Sequence, residues 1–156
     1  MTDYEKRGRV RMLLWDWGQV LDLIDRKRHE IETFREWASD ADTLRAVTIT
    51  GMPRGSGTSD PTAEAAMMLE QRGDSFRRAE KAAQVEIDAM LRRKAAMDEL
   101  IATLTTTQQR ILSMKYIDGH KWRYIALKMN YDERSVRRHE CAAVCKLAGM
   151  MEFSES

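Results

Sequence analysis

Residues 104–147 read LTTTQQRILSMKYIDGHKWRYIALKMNYDERSVRRHECAAVCKL, and this stretch decides the fold. Its apolar residues recur at spacings of three and four, and the pattern is interrupted at Asp118–Gly119 and again at Asn130–Tyr131. The spacing is typical of helices with one buried face, and the interruptions are turn signals. The pattern therefore predicts three short helices, over residues 107–117, 121–129 and about 133–147.

The ends of these helices carry recognisable signals. Thr105 or Thr106, with a glutamine three residues further on, predicts a capping box at the first helix. Asp132 is an N-cap for the last helix, and Gly149 is its stop signal. Ala126 is small enough to lie where the second and third helices cross. Three helices joined by tight turns predict a helix-turn-helix unit.

The chain before this unit predicts two long helices. Residues 9–38 carry a regular apolar stripe in which Gly18 is the one weak point. Residues 39–61 are rich in Gly, Pro, Ser and Thr and predict a flexible loop. A second helix, opened by Pro61 or Thr62 and ending near residue 104, has an apolar residue every seventh position from Leu69 onward.

These stripes must be buried somewhere. They can pack on each other within one chain or against a second copy, and we expect a homodimer through the N-terminal helices. The overall prediction is an all-α fold. A helical hairpin or coiled coil spans residues 1–104, a helix-turn-helix domain spans 105–149, and a short tail covers 150–156.

Composition excludes several classes of protein. The sequence contains no run of about 18 apolar residues, so we expect no membrane-spanning helix, and its start does not resemble a signal peptide. Two cysteines in 156 residues cannot form a disulfide framework. A reducing cytoplasm is therefore the expected location.

The net charge of +1 is unevenly distributed. Residues 105–149 hold nine basic and four acidic side chains, so this segment alone has a net charge of +5. The first 104 residues are slightly acidic. A positive segment that coincides with a predicted helix-turn-helix unit points to a polyanionic partner, and we expect double-stranded DNA.

The last helix supplies the candidate recognition residues. In a helix-turn-helix unit its first turns enter the major groove, where arginine can donate two hydrogen bonds to guanine and serine can donate or accept. The predicted base contacts are Arg134, Ser135, Arg137 and Arg138. The preceding helix crosses the backbone, so its basic side chains are predicted to contact phosphates. These side chains are Lys121, Arg123 and Lys128.

Metal, cofactor and catalytic sites are not expected. His139 and Cys141 point about 200° apart on a helix, and Cys141 with Cys145 provides only two ligands. Residues 51–60 are glycine-rich but lack the Gly-Lys-Ser/Thr of a nucleotide-binding loop. No nucleophile is paired with a base in a recognisable pattern, so we expect a protein that is not an enzyme.

The helix-turn-helix segment resembles region 4 of bacterial sigma factors. It is more similar to phage late-gene activators of the ArpU/RinA type. The likeness rests on three runs, Gln109–Leu112, Lys115–Gly119 and Ser135–Arg138, together with single apolar positions around them. His139 and Glu140 are departures, because the inner face of such a helix is usually apolar. The resemblance implies a phage or prophage transcription regulator that binds promoter DNA and contacts host RNA polymerase.

Two other functions fit the same architecture. A small subunit of a DNA-packaging terminase would also join a helix-turn-helix unit to an oligomerising helical part. A sigma-like adaptor could grip RNA polymerase through this unit without itself binding DNA.

Overall fold

The computed structural model describes residues 1–50 and 61–153. It is 89% helical, and the described residues form no strand, so the predicted all-α class is confirmed. None of the described helices is both long enough and apolar enough to cross a bilayer. A single π-helical turn, Ser113–Ile117, follows the third α-helix directly. The five α-helices are α1 (Asp3–Thr50), α2 (Pro61–Ala102), α3 (Thr106–Leu112), α4 (Trp122–Met129) and α5 (Glu133–Met150).

Helix α1 is longer than the sequence pattern indicated. The loop predicted to begin at residue 39 begins no earlier than residue 51, because α1 continues to Thr50. The cause is tertiary: Ala41 is buried, and Asp42 and Arg45 form ion pairs with residues of α2. These contacts outweigh the weak helix propensity of the Ser, Asp and Thr residues in this segment. Residues 51–60, the part of the predicted loop that was compared with a nucleotide-binding loop, lie outside the described residues.

The chain divides into two compact units. Unit 1 contains Met1–Leu23 and Met90–Ser156, and unit 2 contains Ile24–Ala89. The sequence indicated a boundary near residue 104, between the long helices and the helix-turn-helix segment. In the structure the three short helices instead share one unit with the ends of both long helices.

Unit 2 is an antiparallel pair of helical segments. Its core includes Ile31, Ala83 and Ile87, and the ring of Trp37 lies 5.3 Å from that of Phe76. Ion pairs between the two segments flank this core and fix their register. They join Lys27 to Glu86 at 2.8 Å, Arg35 to Glu80 at 2.6 Å, Asp42 to Arg77 at 2.7 Å and Arg45 to Glu70 at 3.5 Å.

Unit 1 is organised around α5, whose inner face serves two cores. Near its start, Val136 packs with Ile111 of α3 and with Ile125 and Ala126 of α4. Ala126 is buried, as the predicted crossing requires. Further along α5 the packing partners change to the first turns of α1 and the last turns of α2. This second core contains Val10, Leu14, Met97, Ile101, Leu104, Leu112, Tyr116, Ala143, Val144 and Leu147.

The predicted caps are confirmed. The Thr105 side chain accepts from the Gln108 N–H, and the Gln108 side chain accepts from the Thr105 N–H. Asp132 caps α5 by accepting from the Ser135 N–H at 2.8 Å, and hydrogen bonds from Ser135 hold the pKa of this carboxyl below its ordinary value. Asn130 adopts the left-handed conformation, with φ of 55°, that ends α4.

The stop predicted at Gly149 is wrong, because α5 continues through it to Met150. Met151 and Phe153 pack against the second core, and the Met151 N–H still donates to the Leu147 carbonyl. The last turn of α5 brings Met151 and Phe153 into contact with the second core, and this contact favours the longer helix. The predicted tail therefore begins as part of unit 1.

Gly18 is the point of closest approach between α1 and the π-helical turn. A Cβ atom built on Gly18 would overlap the carbonyl oxygen of Tyr116. The next residue of α1, Gln19, donates its side-chain N–H to the same oxygen at 3.4 Å. The glycine that looked like a weak point in the helix is thus required by the packing of α1 on this turn.

We predict that Gly18→Ala destabilises the protein by about 1–3 kcal/mol, because the added methyl group forces the two backbones apart. Gly8→Ala is the matched control, since Gly8 lies in the same helix and has open space around it. The control should be stabilising by about 0.5–1 kcal/mol, as for a helix-interior glycine. Urea denaturation measures both values, and equal effects of the two substitutions would contradict the close approach.

Candidate nucleic-acid interface

A buried carboxylate fixes α5 in unit 1. Glu140 is only 3% exposed, although it carries a charge. Its two oxygens accept from the Arg11 guanidinium of α1 at 2.9 and 3.0 Å, and Oε1 also accepts from the Tyr116 hydroxyl at 2.8 Å. The glutamate that departs from the sigma-like pattern therefore has three hydrogen bonds to two other elements.

Ionisation in this network follows from burial and charge. Hydrogen bonding to Glu140 raises the pKa of Arg11 and keeps the guanidinium charged. Burial, together with the hydrogen bond to Glu140, raises the pKa of the Tyr116 hydroxyl above its ordinary value of 10. A charged arginine and a neutral tyrosine are the partners that a buried carboxylate needs. The network ties α5 to α1 and to the π-helical turn at a defined rotation about its axis.

We predict that Glu140→Ala costs about 2–3 kcal/mol of stability, because it removes three hydrogen bonds and leaves the Tyr116 hydroxyl without an acceptor. Tyr116→Phe should cost about 1 kcal/mol, since it removes one bond and leaves the ion pair in place. Urea denaturation followed by circular dichroism measures both. A Glu140→Ala variant as stable as the wild type would show that the network does not hold α5.

Stability should also depend on pH through Tyr116. Its pKa is raised by folding, so the unfolded chain loses this proton near pH 10 whereas the folded chain retains it. The contribution is therefore complete below pH 10 and is lost as the pH rises toward the folded value. The free-energy difference between wild type and Tyr116→Phe should be constant from pH 7 to 9 and shrink above pH 10. A difference that does not change with pH would contradict this assignment.

The fixed rotation of α5 leaves two of the predicted base-contacting arginines facing outward. Arg134 and Arg138 are exposed, four residues apart, on the side opposite the buried Val136. Within the described ranges, neither side chain forms a hydrogen bond or an ion pair. Ser135 is half-buried beside them, and its backbone N–H is engaged by the Asp132 cap.

Arg137 has a different environment from the other two arginines. Its Nη2 donates to the Glu133 carboxylate at 2.9 Å, and its guanidinium carbon lies 5.8 Å from the centre of the Trp122 ring. Lys115 lies over the same ring, with Nζ 4.6 Å from its centre. Arg137 is thus held on the flank of α5 beside the start of α4. Arg134 and Arg138 instead project into solvent from the face of α5 that lies away from the core.

The three predicted phosphate contacts lie on the surface of α4 or at its start. Lys121, Arg123 and Lys128 are all exposed, and Lys128 lies 5.7 Å from the Tyr124 ring centre. The surface of α4 also carries an apolar and an aromatic side chain between these basic residues, since Leu127 is 73% exposed and Tyr124 is 41% exposed. Sequence reasoning missed this feature, because it considered only the charges of α4.

The residues considered for a metal site do not form one in the described part of the chain. His139 stacks near Tyr131 with ring centres 5.4 Å apart, while Cys141 is half-buried and Cys145 exposed. Across residues 1–50 and 61–153, no group of three or more His, Cys, Asp or Glu side chains is arranged to hold a metal ion.

Two residues of the buried network were not identified from the sequence as functional. Glu140 gave a signal, because a charged residue occupied an inner-face position. Its partner Arg11 gave none, since it lies 129 residues away and looks like any exposed arginine on an amphipathic helix. The link between α1 and α5 is visible only in the structure.

Comparison with known proteins adds a family and no function. The model of a family described as "Protein of unknown function (DUF722)" matches residues 25–148. The matched range includes α3, α4 and nearly all of α5. No curated protein and no solved structure matches the chain significantly.

Proposed function

This chain belongs to the DUF722 family, and from this premise we propose that it is a sequence-specific double-stranded DNA-binding transcription regulator that inserts α5 into the major groove. The observation that carries the proposal is the exposed pair Arg134 and Arg138 on the first turns of α5. A guanidinium that makes no internal hydrogen bond can donate two parallel bonds to guanine N7 and O6 without breaking any. Unpaired, outward arginines on a rigid helix are thus suited to reading bases.

The rest of unit 1 supports the same orientation. Helix α4 crosses the phosphate backbone when α5 lies in the groove. It carries Arg123 and Lys128 on its surface and Lys121 at its start. Arg137 and Lys115 flank Trp122 at the start of α4, next to the same backbone. We propose that Arg137 contacts phosphate at least as much as bases, since Glu133 and Trp122 hold it away from the outward face.

We further propose that two copies act together through their N-terminal helices. Unit 2 presents apolar side chains to solvent, among them Val47, Met67, Met68 and Val85, each about 60% exposed. Exposed apolar side chains favour association where they lie together in one patch, and Met67 and Met68 are adjacent in α2. A dimer would place two α5 helices on half-sites about 34 Å apart, or a multiple of it, along the duplex.

The likeness to phage late-gene activators supports the remaining part of the proposal. It places the protein in the cytoplasm of a bacterial host, at a phage or prophage promoter, in contact with host RNA polymerase. Neither a cofactor nor a metal is needed for this role, which is that of a regulator and not an enzyme.

The proposal is tested by selecting duplexes from a random library and footprinting the enriched site. Replacing Arg134, Arg137 and Arg138 together by Gln should abolish the footprint, because base and phosphate contacts are lost at once. The charge-matched control replaces Arg72, Arg78 and Lys81, which are exposed residues of unit 2, and should leave the footprint intact. Wild-type affinity should fall steeply with salt, with a log–log slope of about −0.9 per phosphate contact.

Three results would contradict the proposal. A library from which no duplex is enriched would favour the polymerase-binding adaptor, which needs no DNA contact. A triple-arginine variant that protects the same site as the wild type would show that α5 is not the reading helix. A measured mass of many copies in a ring would favour the terminase-like alternative over a dimer.

A further inference from the structure

The start of α1 brings basic side chains to the far end of α5. A shallow concavity of about 330 Å³ is bordered by Asp3, Lys6 and Arg7 on α1 and by Cys145, Ala148 and Gly149 on α5. All six residues belong to unit 1. Lys6 and Arg7 lie in a part of the chain that is slightly acidic overall and was not expected to bind DNA.

This concavity continues the outward face of the recognition helix. At 100° per residue, Arg134, Arg138, Cys145 and Gly149 fall within about 60° of one another, on the side opposite the buried residues of α5. Cys145 follows Arg138 by seven residues, or about 10 Å along the axis. One face of α5 therefore has arginines at its first turns and the α1 cations beside its last turns.

The length of α5 indicates what Lys6 and Arg7 contact when this helix enters the groove. The helix has 18 residues and spans about 27 Å, whereas the major groove is about 12 Å wide. When α5 crosses the groove with its first turns inserted, its last turns extend past the groove edge and approach the sugar-phosphate backbone. The nearest lysine of α5 is not available there, because the Lys146 ammonium donates to the Thr103 carbonyl at 2.7 Å.

We propose that Lys6 and Arg7 form a second phosphate-binding cluster that contacts the DNA backbone beyond the reach of α5's own cations. The inference rests on the proposed function, since it assumes that α5 enters the groove. Among the residues that the structure describes, the Lys6 ammonium makes no hydrogen bond or ion pair. Arg7 donates only its Nε, to the Asp3 carbonyl at 3.3 Å, so its two terminal nitrogens remain available.

Neighbouring cations of α1 do not share this role. Arg11 is committed to Glu140, and Arg9 lies 5.9 Å from the Phe153 ring centre, beside a different concavity. The proposed cluster is therefore limited to Lys6 and Arg7, the two cations of α1 that border the concavity beside the last turns of α5.

The test measures binding of the selected duplex, extended to about 40 base pairs, as a function of salt. Replacing both Lys6 and Arg7 by Gln should reduce the steepness of the log–log slope by about 1.8 for each bound copy and weaken binding about tenfold or more near 0.1 M salt. The order of preference among base-substituted sites should not change, because phosphate contacts carry no sequence information. Replacing Arg78 and Lys81 by Gln removes the same charge from unit 2 and should leave slope and affinity unchanged.

A second measurement leaves Lys6, Arg7 and the arginines of α5 unchanged. Cys145 is exposed and lines the concavity, so the selected duplex should slow its alkylation by iodoacetamide at least severalfold in a Cys141→Ala background. A fragment trimmed to the base-contacted site should protect it less than the 40-base-pair duplex. Thermal melting of each variant establishes that the fold is retained.

The outcomes separate this inference from the proposed function. If the Lys6/Arg7 variant keeps the wild-type slope, or if Cys145 reacts equally with and without the long duplex, the second cluster does not exist. The proposed function survives that result when replacement of Arg134 and Arg138 still abolishes recognition of the site. If that replacement also has no effect, α5 does not enter the groove and both proposals fail.

Discussion

The buried carboxylate of Glu140 is the constraint on which unit 1 depends. A charge that has left water is tolerated only when it is paired and fully hydrogen-bonded, and Arg11 and Tyr116 provide this environment. Apolar contacts alone would let α5 roll or slide on its neighbours at small cost. Three directional bonds from two elements allow one rotation of the helix, and that rotation places Arg134 and Arg138 on the surface.

This network explains why the helix-turn-helix segment is not an independent domain. Its last helix, α5, has half of its inner face packed on α3 and α4, and the other half on the ends of α1 and α2. Gly18 lets α1 approach the π-helical turn closely enough to complete that packing. The first turns of α1 are thus in direct contact with the helix whose outward surface we propose reads DNA. The same packing of α1 on α5 places Lys6 and Arg7 beside the last turns of α5.

Counting charges along the sequence overstates the number of cations that are available for contacts outside the chain. Residues 105–149 have a net charge of +5, yet several of their basic side chains have internal roles. Lys146 caps the end of α2, Arg137 pairs with Glu133, and Lys115 lies over Trp122. The outward face of α5 therefore carries two arginines that make no internal hydrogen bond, Arg134 and Arg138. We propose that the α1 cations contact the DNA backbone where Lys146 cannot.

The sequence by itself determined the helices, their caps and the positive segment, because these follow from periodicity and from residues within four positions of each other. The capping box at Thr105, the Asp132 cap and the buried Ala126 were predictable for this reason. The sequence did not determine the extension of α1 to Thr50, the passage of α5 through Gly149 or the unit boundary, since contacts with distant elements overrode local propensity. Only the tertiary structure joined Arg11 to Glu140 and brought Lys6 and Arg7 to α5, because no local pattern encodes a contact between residues more than a hundred positions apart.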